Sequence, residues 1–231
     1  MNAKTNLSYP DFQDHLAELE SRGLLRRVDR PINKDTELHP LVRWQFQGGL
    51  PESERSAFLF TNVTDGEGRK YDMPVAVGAL ATTPEIYAIG MGVSVEDIGS
   101  RWLHAIANPI TPVVIEQPPC HEIIVQGEAL KSGNGLESLP VPVSTPGYDS
   151  APYLVATIVI TEDPETGVRN MGTYRGALKA SDRLGIRMAT RVGGAGGYLH
   201  WQKYKERGEP MPCAIAIGCL LYTSPSPRDR G

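Results

Sequence analysis

The chain has 231 residues, 40% of them hydrophobic and 22% charged, which is ordinary for a globular protein and argues against a disordered or collagen-like one. Lys and Arg number 23 against 27 Asp and Glu, a net charge of −4, so no global basic field is available for nucleic acid or an anionic membrane. No apolar run reaches the roughly 20 residues of a membrane span, the N-terminus lacks a signal-like apolar region, and Cys120, Cys213 and Cys219 form no CxxC pair, which together point to a reducing cytoplasmic setting.

Residues 8–27 read as one amphipathic helix, with Ser8 as cap, Pro10 in the first turn, Phe12, Leu16 and Leu19 at helical spacing and Gly23 as a C-terminal stop. A second helix is expected over 36–47. Residues 57–63 (AFLFTNV) read as a buried strand closed by Asp65-Gly66, and 74–80 (PVAVGAL) as another. Helices are expected over 84–91 and 94–107, the latter turning Trp102, Leu103 and Ile106 toward a core. From Pro109 the texture changes to proline-punctuated strands and loops, which sets a domain boundary near residue 110. Strands are expected at 121–126, 153–161, 168–174, 186–192 and 213–218, the last one buried. The sequence Asp163-Pro164-Glu165-Thr166-Gly167 makes a hairpin turn, and the glycine run 193–197 leads into a helix over 198–207. Residues 220–231, rich in Ser, Pro and Arg, have no period and read as a tail foreign to the domain.

The chemistry concentrates in Asn170-Met171-Gly172-Thr173-Tyr174-Arg175-Gly176. Asn170 offers a neutral amide oxygen that a hard cation accepts, or else a local backbone cap. Arg175 carries a guanidinium fork suited to phosphate or carboxylate, or else it is a solvated strand residue. Arg187 and Arg191 add positive charge before the Gly-Gly-Ala-Gly-Gly run, which is either a phosphate cradle or a tight loop. The dinucleotide fingerprint GxGxxG fails at Leu199, and no GxxxxGK[ST] is present. Tyr174 and Trp201 are expected in the core, His200 in a surface or packing role, and Cys213 and Cys219 as small core hydrophobes. His121 and Glu122 are neighbours on a strand and face opposite ways.

The run from Leu139-Pro140 through Thr145-Pro146 and Ala151-Pro152-Tyr153 to Val159–Arg175 resembles the UbiD family of decarboxylases, which use prenylated FMN. Asp11-Phe12 and Leu19–Val28 resemble that family's opening helix, and Ala57–Val63 its first strand, so the resemblance covers residues 8–218. It implies an α/β fold: an N-terminal α/β domain (1–110), the first part of a split β-barrel flavin-binding domain (111–219), and the tail 220–231.

The resemblance also implies the site. Asn170 matches the asparagine that holds a divalent metal, usually manganese and often with potassium, against the cofactor phosphate. Thr173, Tyr174 and Arg175 match a cofactor-binding segment, and Arg175 also the arginine facing the substrate carboxylate. Arg187, Met188 and Ala189 match a second cofactor strand, and Val192 and Gly193 a third contact pair; Val192 lacks the polar group many members carry, and Gly193 cannot supply the histidine ligand of others. The implied function is reversible, non-oxidative decarboxylation of an aromatic or α,β-unsaturated acid, in a cytoplasmic homo-oligomer supplied with cofactor by a flavin prenyltransferase. The family's proton-donating glutamate has no counterpart among the matched residues, so residues 1–231 alone are expected to be inert. A split-barrel flavin reductase, or a non-catalytic flavin-binding module, is the alternative.

Overall fold

The computed structural model describes residues 11–110, 113–191 and 193–220. Helix α1 spans Phe12–Ser21, capped by Asp11, whose carboxylate accepts from the Gln13 and Asp14 N–H groups at 2.8 and 3.0 Å. It does not run to residue 27. Gly23 takes φ +71°, Leu24 N–H reaches back to Leu19 O at 2.8 Å and Gly23 N–H to Glu20 O at 3.0 Å, a paired closure that ends the helix and releases Leu25–Val28 as strand β1. Ser8 and Pro10 lie outside the described residues.

Strand β2 (Ile32–Asn33) and helix α2 (Leu38–Gln47) follow. The strand expected over 57–63 divides into β3 (Ala57–Phe60) and β4 (Val63–Thr64), because Thr61 turns aside to bond Asp29 Oδ1 at 2.6 Å and the chain changes sheet. With β5 (Lys70–Tyr71) and β6 (Val75–Val77), two three-stranded sheets form, ordered β1-β3-β6 and β2-β4-β5. Helix α3 occupies Pro84–Met91, the expected span, with Thr83 accepting from the Ile86 N–H as its cap and Pro84 at its start.

Two apolar clusters hold this half together. Leu16, Leu19, Leu25, Ala57 and Ile86 join α1 and α3 to the first sheet, while Ile32, Leu38, Val42, Phe60 and Val63 join α2 to the second. His15 is buried beside the first cluster with Nε2 2.7 Å from Ala79 O.

Helix α4 (Ile98–Ala107) starts four residues later than expected, after a turn in which Ser94 Oγ donates to Asp97. Its apolar stripe is not in a core: Leu103 is 72% and Ile106 66% exposed, and Trp102 donates only to Tyr87 Oη at 2.8 Å among the described residues. Helical periodicity marks a stripe without providing what covers it. The strand expected at 121–126 is likewise absent. A 3₁₀ turn occupies 119–121, and Ile123 and Ile124 are exposed, because β-branched residues form a strand only against a partner.

The second half is built of β7 (Tyr153–Leu154), β8 (Thr157–Glu162), β9 (Arg169–Thr173), β10 (Arg175–Ala180), β11 (Arg183–Arg187), α5 (Gly196–Arg207) and β12 (Cys213–Ile217). The β8–β9 hairpin forms as expected, its turn fixed by Asp163, which accepts from Glu165 and Thr166 N–H. The strands make two small sheets, β11-β10-β7 and β12-β8-β9, and the barrel is open. Strand β11 stops at Arg187, so Met188, Ala189 and Thr190 lie in a loop rather than in a strand to 192. Strand β12 forms but is not buried: Ile217 is 59% exposed and Cys213 is exposed, and among the described residues β12 pairs with β8 alone. Of the tail 220–231, only Leu220 lies within the described residues, and it is buried.

Candidate active site

Asn170 sits on β9 opposite Thr161 of β8, and alternation along the hairpin points both side chains inward beneath α5. Asn170 is 7% exposed, and its Nδ2 donates to Tyr174 Oη at 3.3 Å. That hydroxyl also accepts from the Gly197 N–H, in the first turn of α5, at 3.1 Å. The approach depends on glycine: a Cβ on Gly196 would lie 2.7 Å from Asn170 Cγ, and one on Gly197 within 3.2 Å of the Met188 and Tyr174 side chains. Asn170, Tyr174, Met188 and the start of α5 therefore form one cluster.

Below it, Thr161 Oγ1 lies 3.0 Å from His200 Nδ1. His200 is buried, and burial holds its pKa below the ordinary histidine value. This is the packing role expected of it. Lys203, one turn on, bonds Asp163 and Glu165 at 2.7 Å each and ties α5 to the hairpin turn; this lysine holds the Asp163 carboxyl down at about 2. Trp201 is 40% exposed, stacked on Tyr198 and under Lys205, so it is not a core residue; among the described residues no element covers that side of α5.

A second set of groups lies at the surface beside this cluster. Thr173, Arg175, Arg187, Ala189, Arg191 and Gly193 are all exposed. Arg175 and Arg187 stand directly opposite each other across β10 and β11. Like charges in that position destabilise an antiparallel pair, so the sheet tolerates an arrangement suited to an anion. Gly193 and Gly194 both take positive φ, +83° and +80°, ahead of α5, whose N-cap residue Ala195 offers no side-chain acceptor. Three exposed arginines on one sheet edge and the following loop suit phosphate or carboxylate, and at the start of α5 the Gly197 N–H is already taken by Tyr174 Oη. Val192 lies outside the described residues.

Arg175 is held by a residue that sequence reasoning missed. Its Nη2 donates to Asp149 Oδ1 at 3.1 Å, and its guanidinium lies over the Tyr153 ring at 4.5 Å. Asp149 carries no local signal, since it stands 26 residues away in an irregular segment. Behind Tyr153, an apolar cavity of about 770 Å³ opens between β6 and β7, with His39 and Arg43 of α2 on its wall. His39 is held below the ordinary histidine value by burial first and by Arg43 second, while Asp149 opposes them.

The donor set fits an anionic cofactor better than it fits a complete metal site. Among the described residues no group of three His, Cys, Asp or Glu could hold a metal, so Asn170 would supply one oxygen to an ion completed by other ligands. His121 and Glu122 are exposed and belong to no such grouping among the described residues.

Two family models match the chain in succession: the 3-octaprenyl-4-hydroxybenzoate carboxy-lyase N-terminal domain over residues 16–106, and the Rift-related domain of the same enzymes over residues 113–224. The chain belongs to the UbiD family. Among solved structures, this UbiD-family chain is similar to the UbiD-class enzyme HmfF from Pelotomaculum thermopropionicum in complex with FMN, at 30% identity and a TM-score of 0.74 over 90% of this chain and 42% of that one. An evolved dimeric form of HmfF in complex with prFMN gives 29% identity and a TM-score of 0.76, covering 91% and 44%. The apo 3,4-dihydroxybenzoic acid decarboxylase of Enterobacter cloacae shares the fold, at 24% identity and a TM-score of 0.74, covering 91% and 42%. The chain thus spans less than half the length of these relatives. No helix among the described residues is long and apolar enough to cross a membrane.

Proposed function

We propose that the protein carrying this chain is a carboxy-lyase that removes carbon dioxide from an aromatic or α,β-unsaturated carboxylic acid, using prenylated FMN and a divalent metal. The observation that carries this reading is the opposed Arg175–Arg187 pair, in a family whose structures include FMN and prFMN complexes. Thr173, Tyr174, Arg175, Arg187, Met188, Ala189, Val192 and Gly193 form the cofactor contacts in this proposal. Asn170 would supply an oxygen to Mn²⁺, with K⁺ as a further ion, and the metal would help neutralise the cofactor phosphate. Arg175 also orients the substrate carboxylate, which makes it the catalytic residue of this chain. The bound flavin supplies the electron sink that accepts density as the C–C bond to the carboxylate breaks. The carbon then takes a proton from an acidic group placed close to it.

What this chain contributes is position. Tyr174 Oη joins Asn170 to the α5 N-terminus, which fixes the amide that would hold the metal relative to that helix. The contact with the Tyr153 ring, 4.5 Å from its centroid, restrains the Arg175 guanidinium. The division near residue 110 is proposed as a domain boundary, supported by both apolar clusters lying before it. A cytoplasmic homo-oligomer served by a flavin prenyltransferase completes the proposal, and residues 1–231 by themselves are read as catalytically inert.

The test is co-expression of the complete protein with a flavin prenyltransferase, followed by the absorbance of bound cofactor and carbon dioxide release from 3,4-dihydroxybenzoate, vanillate, 4-hydroxybenzoate and cinnamate. Bound flavin with release from one of them is expected. Protein that binds flavin and oxidises NADPH, but releases no carbon dioxide from any aromatic or unsaturated acid, overturns the lyase reading in favour of a reductase.

A further inference from the structure

Asp149 is 13% exposed at its side chain, and both its oxygens are engaged. Oδ1 accepts from Arg175 Nη2 at 3.1 Å, and Oδ2 accepts from the Thr145 N–H at 2.7 Å. The Tyr148 and Asp149 N–H groups both return to Thr145 O at 3.0 Å, closing a turn over residues 145–149. That turn is held from the N-terminal half: Arg43 Nη2, on α2, donates to Ser144 O at 2.9 Å and to Thr145 Oγ1 at 3.2 Å. The chain of contacts runs from α2 through Arg43, the turn and Asp149 to Arg175.

Asp149 engages only Nη2 among the donors of the Arg175 guanidinium, whose side chain stays 48% exposed. An arginine gripped on one edge and stacked on one face keeps its remaining donors for a ligand. It also loses less rotamer freedom when that ligand arrives. As a stabilising ion pair, by contrast, a half-exposed Arg–Asp contact has little value. The pair is better explained by what it does to the direction of Arg175 than by what it adds to the fold.

We propose that Asp149 is a positioning residue that aims Arg175 at a ligand carboxylate, and that Arg43 makes helix α2 part of that constraint. This rests on the reading above that Arg175 meets the substrate carboxylate.

Benzoate and its uncharged analogue benzamide are the probes, titrated by calorimetry into the complete flavin-loaded protein, with melting temperature recorded for each variant. Asp149→Asn should weaken benzoate about tenfold or more while leaving benzamide and the melting temperature nearly unchanged. Asp149→Glu should restore part of the benzoate preference. In an Arg175→Gln background, Asp149→Asn should add no further loss. Arg43→Ala, which touches neither residue, should shift the preference in the same direction by a smaller factor, and it serves as the independent test should the Asp149 variants fail to fold. An unchanged benzoate-to-benzamide ratio in Asp149→Asn or, where that variant does not fold, in Arg43→Ala, overturns the proposal, as does a wild-type protein that binds the two probes equally. The two readings fail separately. Wild-type protein that prefers benzoate through Arg175 yet releases no carbon dioxide defeats the lyase reading alone. Carbon dioxide release with an intact preference in Asp149→Asn defeats the positioning role alone.

Discussion

Gly196→Ala separates two physical effects by sign. Gly196 is the first residue of α5 and does not need a left-handed backbone, so helix propensity alone predicts a gain of up to about 1 kcal/mol on replacing glycine by alanine. The tertiary structure predicts a loss. The new methyl group would lie 2.7 Å from Asn170 Cγ and 3.3 Å from its Nδ2, and Asn170 is short, 7% exposed and bonded to Tyr174 Oη. Overpacking of this kind costs about 1–3 kcal/mol, to which the strained Asn170–Tyr174 hydrogen bond adds about 1 kcal/mol. The net expectation is destabilisation of about 1–3 kcal/mol, or roughly 2–4 °C of melting temperature per kcal/mol for a chain of this size. Thermal and urea denaturation of Gly196→Ala, Asn170→Ala and the double variant give the full cycle. The double variant should be clearly more stable than the sum of the singles predicts, because removing the amide removes the collision. A Gly196→Ala protein as stable as wild type, or more so, would refute the close approach on which the Asn170 cluster depends.

Arg187→Leu should act in opposite directions on the free and bound protein. It should relieve the repulsion across β10–β11 and stabilise the flavin-free form by about 0.2–1 kcal/mol, while FMN affinity, measured by quenching of flavin fluorescence, falls; unchanged affinity would remove Arg187 from the cofactor site. Burial holds His15, His39 and His200 below the ordinary value of 6.5, so each binds a proton less readily in the folded protein than once unfolded. Stability should therefore be full above pH 6.5 and fall as the pH drops below it, read as a declining urea midpoint, and His200→Gln should flatten that decline. Phe60→Ala, at a fully buried ring stacked on Phe58 at 5.9 Å, should cost about 3–5 kcal/mol in urea unfolding, and a cost under 1 kcal/mol would show that this cluster is not the core of its half.

Local signals carried a good deal of this protein. The helix expected over 84–91 forms at those bounds, and Asp163 to Gly167 makes the β8–β9 hairpin, because a turn and its flanking strands are decided by neighbours in sequence. The stretch from Asn170 to Arg175 was legible as a site for the same reason: its residue types and its motif sit together on one strand and the start of the next. Gly23 signals a stop, but no local signal shows that a strand begins two residues later, since β1 forms by pairing with β3.

Tertiary structure decided what depends on partners. Trp102, Leu103, Ile106 and Ile123 have the pattern of buried residues and are exposed, because a pattern specifies a face and not what lies across it. Arg175 and Arg187 became a pair only when β10 and β11 set their register, and Asp149 joined them from 26 residues away through a turn that α2 holds in place. Asn170 was recognisable as a polar residue by a turn. That it is buried, bonded to Tyr174 and closed over by two glycines of α5 follows from the packing of a helix onto a hairpin, which the sequence of the hairpin does not contain.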